Sequence, residues 1–372
     1  FFVNQNHYVE YPQRSIDDPE RPDVFNVLND RRFYVSTPFI SKGLRETELL
    51  IHYNQFGIGL SNKNLWWGPG IHSSLTMTNN TAGFPHIMIG TINDKKFKNI
   101  GYGIRYYFSR LNKVEGKPYY TALVGSMTFY NEPIISIGFS RNYLSGGAAP
   151  GDDTITLRNA ALLPFESLFI DSKKNDDDIH GGHDYWDQTI SGFIIFDFIK
   201  SRAKFFIELG TDDHRQNLSD LRAQPEHNSA IIIGLRKYGL FNYDYFVCGF
   251  EYSNIKKSFT NKFRTGGHWW WKDWYNYSTY EGRRWAAHSG SDSDDLYFYI
   301  GIDKNEFSFI PSLNFERHGI VTAEKPEVKL EIRLNILFKY NSYDFKIYLE
   351  KEYLYNTDFI KDKKRNSNVI LF

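Results

Sequence analysis

The 372-residue chain has no net charge, because 44 Lys and Arg balance 44 Asp and Glu, so its composition offers no electrostatic basis for binding nucleic acid. A mean hydropathy of -0.49 excludes a protein built from membrane-spanning helices. Aromatic residues make up 17% of the chain, which is high for a soluble protein. A large β-barrel has an outer wall and two interfacial girdles on which to place so many rings.

The first 45 residues show no long amphipathic pattern, so the structure of this N-terminal segment stays unassigned. The apolar start, Phe1 to Val3, turns polar at Asn4 and is too short for a secretory signal. We therefore expect a mature or trimmed chain. The single Cys248 stands among apolar residues and is predicted to be a small hydrophobe, without an internal disulfide.

An unusual corner follows the first predicted strands. Trp66 and Trp67 are followed at once by Gly68, Pro69 and Gly70, so bulky rings precede a run that forces a tight turn. No nucleophile stands beside a base here, which argues against catalysis. We interpret these five residues as a structural motif, a fixed corner at the rim where a strand ends.

Alternation with a period of two recurs along the chain and predicts strands. Residues 102–108 place Tyr and Ile on one face and Arg105 on the other, and residues 307–315 alternate aromatic with Ser and Asn. The clearest case is 330–336, where aliphatic residues alternate with Glu331, Arg333 and Asn335. We count roughly fourteen to sixteen such segments, each about as long as a tilted membrane strand. The pattern predicts an all-β, antiparallel protein, although a soluble sandwich gives the same alternation.

The predicted connections fall into two sizes. Residues 131–133 and 341–343 suit tight hairpins. Residues 144–188 and 254–280 are long and, in an outer-membrane barrel, would be extracellular loops. Within the first, residues 157–169 predict a short helix that Pro164 interrupts.

Two groups of histidines and acids invite chemical interpretations. His180 and His183, preceded by Asp176 to Asp178, could hold a divalent ion, but the glycines between the histidines favour a solvated loop. His288 and Ser289, followed by Asp292, Asp294 and Asp295, could belong to a hydrolase, but neighbours on a strand point to opposite faces. A polar loop or a carboxylate in the lumen of a barrel is the favoured interpretation. The sequence thus predicts a non-enzymatic protein, with no catalytic residue, no cofactor and no metal ligand.

The segment richest in aromatic residues is the best candidate for a binding site. Sugars bind by stacking on rings while charged and amide groups take their hydroxyls, and both kinds of group occur here. The competing interpretation is an aromatic girdle that contacts lipid headgroups. The candidate polysaccharide-binding residues are Trp269, Trp270, Trp271, Trp274, Tyr275, Tyr277, Arg283 and Arg284.

Several segments, in the same order over about residues 45 to 300, resemble one family. They are the corner at 64–80, the strand at 84–91, the Glu-x-Gly segment at 206–210, the Pro-Glu-His strand entry at 225–230 and the block at 277–284. Together they resemble the capsule assembly protein Wzi family, whose members are outer-membrane β-barrel lectins. The family places a helical bundle on the N-terminal side of the barrel, and residues 1–45 here lack that pattern.

The resemblance implies a single transmembrane β-barrel domain over residues 1–372, with about eighteen strands, in the bacterial outer membrane. It implies a non-catalytic protein that binds capsular or other surface polysaccharide and helps capsule assembly or attachment. Its other partners would be outer-membrane lipid and membrane proteins, but not nucleic acid. The alternatives are a porin or transporter and a barrel subunit of a larger surface secretion or uptake assembly.

Overall fold

The computed structural model describes residues 6–8, 39–41, 46–81, 83–112, 117–147, 155–165, 186–212, 218–241, 243–256, 279–280, 283–321, 323–341 and 343–371. Most of these residues lie in β-strands. The first half contains β1 Asn6–Tyr8, β2 Phe39–Ser41, β3 Glu48–Tyr53, β4 Phe56–Ser61, β5 His86–Thr91, β6 Lys95–Phe97, β7 Ile100–Arg110, β8 Tyr119–Phe129, β9 Ile134–Ser145 and β10 Trp186–Phe198. The second half contains β11 Ala203–Asp212, β12 Ser229–Leu240, β13 Tyr243–Ile255, β14 Thr279–Tyr280, β15 Arg283–Arg284, β16 Ser293–Asp303, β17 Phe307–His318, β18 Glu327–Tyr340, β19 Tyr343–Tyr355 and β20 Lys364–Leu371.

Helical structure in the described ranges is short. Helix α1 spans Leu157–Leu162 and continues as a 3-10 turn over Leu163–Phe165, which contains Pro164, as the sequence predicts. Helix α2 spans Leu218–Ala223, and a second 3-10 turn covers Thr357–Phe359. None of the helices described is both long enough and apolar enough to cross a bilayer.

One antiparallel sheet contains 16 of the strands. Its order runs β20-β19-β18-β17-β16-β13-β12-β11-β10-β9-β8-β7-β5-β4-β3, and β6 also pairs with β7. The longest strands have 10 to 14 residues, enough for a tilted strand to cross a hydrocarbon core. The resemblance implied about eighteen strands, and β3 and β20 form the two ends of the order within the described residues.

The two ends of the sheet carry connections of different size. At one end, β8 and β9 are joined by residues 130–133 and β18 and β19 by residues 341–342, close to the predicted hairpins. At the other end, residues 146–185 join β9 to β10 and residues 256–292 join β13 to β16. These connections overlap the long loops predicted at residues 144–188 and 254–280, although the second runs on to residue 292 and includes β14 and β15. Their extracellular position stays a prediction. This end also carries residues 62–85 between β4 and β5.

The sheet exposes its apolar face and buries its polar one. On β17, Phe309 and Leu313 are 38% and 47% exposed, whereas the intervening Ser312 and Asn314 are buried. A soluble sandwich would bury the apolar set, so the observed pattern excludes that alternative for this sheet. The alternation predicted from the sequence is confirmed, and its apolar side faces outward.

Exposed aromatic side chains concentrate near the short connections. Tyr130 follows β8, Phe198 ends β10, and Phe241 lies between β12 and β13. At this same end of the sheet, the ends of the strands carry further exposed aromatic rings, at Tyr53, Phe56, Phe97, Tyr243, Phe307, Phe338, Tyr340, Tyr343 and Phe345. Such a band is the arrangement found where a barrel meets a membrane–water interface.

Residues 1–45 are described only at β1 and β2, which pair as a small antiparallel sheet. The remainder of this N-terminal segment lies outside the described residues. The expectation that residues 1–45 lack the family's helical bundle is therefore not tested. Cys248 lies on β13, and its side chain is partly buried.

Candidate functional site

Residues 62–85, here called the inner segment, run along the buried face of the sheet. Trp67 is 7% exposed and packs against Tyr107 on β7, with ring centroids 5.0 Å apart, and against Tyr120 on β8 at 6.5 Å. Tyr120 in turn contacts Trp285, which is buried after β15. The two tryptophans of the corner therefore differ, because Trp66 is 37% exposed while Trp67 belongs to the core.

The corner needs glycine at its centre. Gly68 has a φ of 129°, and a Cβ there would lie 2.5 Å from Ser74 Oγ and 2.6 Å from a carboxylate oxygen of Glu208. Both the backbone angle and the space exclude a larger residue without rearrangement. The loop closes where the backbone N–H of Trp67 donates to the carbonyl of Met77 at 3.1 Å. The sequence interpretation of a fixed corner thus has a physical basis, but Trp67 faces the interior and not a membrane rim.

Two buried carboxylates hold the backbone of the inner segment. Glu251 on β13 accepts hydrogen bonds from the N–H groups of Ile71, His72 and Ser73, at 2.5, 3.2 and 2.7 Å. Glu208 on β11 accepts one from the N–H of Leu75 at 3.3 Å. These hydrogen bonds satisfy N–H groups of a buried turn, so the two acids fix its position.

Further hydrogen bonds tie the inner segment to other walls. The hydroxyl of Thr76 lies 2.7 Å from that of Ser140 on β9. Thr78 bonds the backbone of residues 285–286 through its N–H at 2.6 Å and its hydroxyl at 2.7 Å. Because one short segment contacts strands from β7 to β16, the sheet curves around it, and the interior of the curve is filled there.

Four ionisable side chains meet at the tip of the inner segment. The Nε2 atom of His72 lies 3.5 Å from Oδ2 of Asp295 on β16. Nε2 of His288 lies 3.2 Å from that oxygen and 3.2 Å from Oε1 of Glu316 on β17. The ring of His72 stacks on Tyr297 at 4.1 Å and meets His288 edge-on at 4.5 Å. We call His72, His288, Asp295 and Glu316 the His-Asp-Glu cluster.

The protonation of the two histidines in this cluster depends on their burial and on the charged groups beside them. Burial lowers the pKa of His72, and the adjacent His288 lowers it further. Burial also disfavours the charged form of His288, but Glu316 and Asp295 outweigh that effect and raise its pKa to about 10. At neutral pH and with no cation bound, His288 therefore carries a proton between the two carboxylates, whereas His72 is neutral. A metal cation bound through His288 would have to replace that proton.

The buried charges continue along the inner face of the neighbouring strands. Glu316 also contacts His318 at 2.9 Å and the ammonium of Lys329 at 2.8 Å. Lys329 lies 3.1 Å from Glu331, which in turn contacts Arg333. Alternating positive and negative groups satisfy one another, as buried charges require.

The candidate polysaccharide-binding residues are placed only in part. Trp269, Trp270, Trp271, Trp274, Tyr275 and Tyr277 lie outside the described residues. Arg283 and Arg284 form β15, which pairs with β14, and Tyr280 of β14 accepts a hydrogen bond from Thr81 of the inner segment at 2.9 Å. The backbone of this arginine pair therefore lies beside the inner segment, and its side chains lie outside the description.

The structure describes only one of the two other groups for which the sequence suggested chemistry. His180, His183 and Asp176 to Asp178 lie outside the described residues, so the metal interpretation of that loop is not tested. His288 is described, and its imidazole contacts two carboxylates, while the hydroxyl of Ser289 accepts a hydrogen bond from Ser293 at 3.1 Å. Asp292 accepts bonds from the N–H of Val321, at 3.2 and 3.0 Å to its two oxygens, which anchor a turn.

The sequence interpretation named Asp295 only as one of the acids that follow His288, and it did not single out His72 or Glu316. They come together only because the inner segment folds back beneath strands that lie more than two hundred residues further along the chain. The available signal was the histidine two residues beyond the glycine-rich corner, together with acids at inward positions of later strands.

No protein-family model matches this sequence, and no curated protein matches it by sequence. Among solved structures, it is similar to Wzi of Escherichia coli, an outer-membrane protein involved in group 1 capsule assembly and a carbohydrate-binding β-barrel. The TM-score is 0.59 at 13% sequence identity, and the match covers 89% of this chain and 68% of that one. The likeness supports a Wzi-like β-barrel fold.

Proposed function

We propose that this protein is an outer-membrane β-barrel that binds capsular or other surface polysaccharide without covalent chemistry and helps attach it to the cell surface. The observation that carries the proposal is the outward apolar face of a 16-stranded antiparallel sheet that is similar in fold to Wzi. In water, such a face would be a large unprotected patch, whereas a bilayer covers it.

The orientation follows from the connections. In outer-membrane barrels the short turns face the periplasm and the long loops face outward. The end that carries residues 146–185 and 256–292 would then be extracellular, and the inner segment would lie beneath it. Polymer would meet these loops first.

Within the extracellular loops, the segment from Trp269 to Tyr277 is the proposed sugar platform, with Arg283 and Arg284 beside it. Rings would stack on the C–H faces of sugars, and the guanidinium groups would attract an acidic polymer. Many weak contacts along a repeating chain would hold the polymer by avidity.

The filled interior favours a binding protein over a porin. An open pore needs a continuous water-filled lumen, whereas the inner segment occupies the buried face of the sheet and bonds to β9, β11 and β13. The lipid and membrane-protein partners implied by the sequence remain part of this proposal.

The test is a deletion strain of the source bacterium. Loss of the gene should release surface polysaccharide into the medium, and the wild-type gene should restore retention. A complementing gene with Trp269, Trp270, Trp271 and Trp274 changed to Ala should restore the folded barrel but not retention. Retention that is unchanged in the deletion strain would contradict the proposal.

A further inference from the structure

We propose that the His-Asp-Glu cluster is a binding site for one divalent transition-metal ion of the zinc type, which fastens the inner segment to the barrel wall. This site goes beyond the proposed polysaccharide function and does not depend on it. Each of the four residues comes from a different segment: His72 from the inner segment, His288 from the connection before β16, Asp295 from β16 and Glu316 from β17.

The ligand geometry is close to that of a tetrahedral ion. One ligand atom from each of the four residues lies within 4.8 Å of all the others. With bonds of about 2.0–2.1 Å, the ligands of a tetrahedral zinc ion are roughly 3.3 Å apart. The contacts between His72 and Asp295, His288 and Asp295, and His288 and Glu316 are 3.5, 3.2 and 3.2 Å, so these three pairs already have about the spacing of tetrahedral ligands. The other three pairs lie within 4.8 Å and would have to close in on the ion.

One atom of His72 and one of Asp295 lack a hydrogen bond. Among the described residues, Nε2 of His72 finds no hydrogen-bond partner, and neither does Oδ1 of Asp295. The Asp295 side chain is 3% exposed, and an unsatisfied polar atom at such depth is costly. A bound cation would supply the missing interaction to His72 and would hold the Asp295 carboxylate.

The surroundings fit a structural metal site. Tyr297 stacks on His72 and orients its ring, and His318 contacts the second oxygen of Glu316 at 2.9 Å. Partners of this kind position ligands and strengthen metal binding. Lys329 competes for Glu316 at 2.8 Å, but it also contacts Glu331 at 3.1 Å and so retains a partner if Glu316 turns toward an ion.

The donor set selects the class of ion. Two imidazoles and two carboxylates suit zinc and similar transition metals. Calcium takes six to eight oxygen ligands, and magnesium prefers octahedral oxygen coordination, so neither should compete.

The experiment uses the full-length protein, purified in detergent without a histidine tag, stripped with a chelator and titrated with ZnCl₂. Elemental analysis gives the zinc bound per folded chain, and the heat-modifiable gel shift gives the unfolding temperature. The wild type should bind one Zn²⁺ and unfold at a higher temperature with zinc than without it. A tenfold excess of CaCl₂ or MgCl₂ should leave zinc binding unchanged.

The deciding variant is His72→Phe, which keeps a ring against Tyr297 but removes the ligand nitrogen. It should fold without zinc as the wild type does, yet bind zinc at least tenfold more weakly and lose the zinc-dependent rise in unfolding temperature. His52→Phe, at an exposed position on β3, is the matched control and should behave as wild type. Should His72→Phe fail to fold, Asp295→Asn takes its place.

A double variant, His180→Ala with His183→Ala, separates this cluster from the histidine loop that the sequence also suggested, and it should keep the zinc site. Zinc binding that persists in His72→Phe and in Asp295→Asn, or that disappears in the loop variant, would overturn the proposal. So would a wild-type protein that binds no zinc at micromolar concentration.

Discussion

At the residue scale, single side chains on the strands hold the inner segment by contacting backbone groups that lie far away in sequence. Gly68 lets the chain turn against Glu208, and Glu251 collects three N–H groups of the next turn. The sequence did not predict either contact, because Glu208 was noted only within the Glu-x-Gly segment and Glu251 is one polar position on an alternating strand. What each accomplishes depends on a loop about 130 to 180 residues earlier.

Gly68→Ala should destabilise the folded protein by roughly 2–4 kcal/mol, because it combines an unfavourable φ with a close contact to Glu208. The fraction of heat-modifiable, folded barrel in a urea series measures the effect. Gly192→Ala on β10 is the matched control, since its Cβ would meet only the Gly138 carbonyl oxygen, at 3.8 Å. Equal stability of the two variants would show that the corner tolerates a side chain.

Glu251→Gln should lower the free energy of unfolding by about 1.5–3 kcal/mol, because the amide keeps one acceptor oxygen but turns an N–H₂ group toward backbone donors. Glu306→Gln, at an exposed hairpin position, should change stability by less than about 0.5 kcal/mol. The two variants are compared by urea unfolding in the same detergent. A similar small effect in both would mean that Glu251 does not hold the inner segment.

At the element scale, each long strand separates two environments. On β18 the outward Ile332 is 46% exposed, while Glu331 on the opposite face is buried. The alternation itself was predictable, because strand geometry puts successive side chains on opposite faces. Which of the two faces points outward was not predictable from the alternation. A sandwich and a barrel share the same alternation, and only the curvature of the whole sheet decides between them.

Ile332→Arg should cost about 2–4 kcal/mol if its face contacts lipid at mid-strand. The matched control is Asn335→Arg, the same new residue on the opposite face of the same strand, which should be tolerated. Arg333 is no control, because its guanidinium contacts Glu331 and lies 2.8 Å from Glu350. Folding yield into lipid vesicles distinguishes the two variants, and equal losses would contradict a lipid-facing Ile332.

The candidate site was less predictable than the strands. The corner at residues 66–70 was recognisable, because a tryptophan pair before Gly-Pro-Gly leaves few conformations. The His-Asp-Glu cluster was not, because His72 lies more than two hundred residues before the other three and meets them only when the inner segment folds beneath β16 and β17. The aromatic segment from Trp269 to Tyr277 stays a prediction from composition alone.

At the scale of the whole molecule, the fold combines an apolar exterior with a polar, filled interior. The exposed rings lie near the short connections and the long loops lie at the opposite end, which is the asymmetry that the proposed outer-membrane orientation requires. A filled interior suits a protein that holds a polymer outside the barrel better than one that passes solutes through it.

The filled interior predicts little ion conductance. Purified protein inserted into planar bilayers should show no steady open state, because the inner segment is bonded to several walls. A general porin measured under the same conditions provides the positive control. A stable conductance of porin size would favour the transporter alternative.

Binding of polysaccharide by the folded barrel tests the central claim most directly. Surface polysaccharide from the source bacterium is incubated with wild-type protein and with single Ala variants at Trp269, Trp270, Trp271 and Trp274, and bound sugar is measured per folded barrel. We expect saturable binding by the wild type, weaker binding by at least one variant at unchanged yield, and, for an acidic polymer, weaker binding at high salt. Variants that lower barrel yield while binding per folded barrel stays constant would mark the segment as a membrane girdle, and a wild-type barrel that binds no polysaccharide would contradict the account.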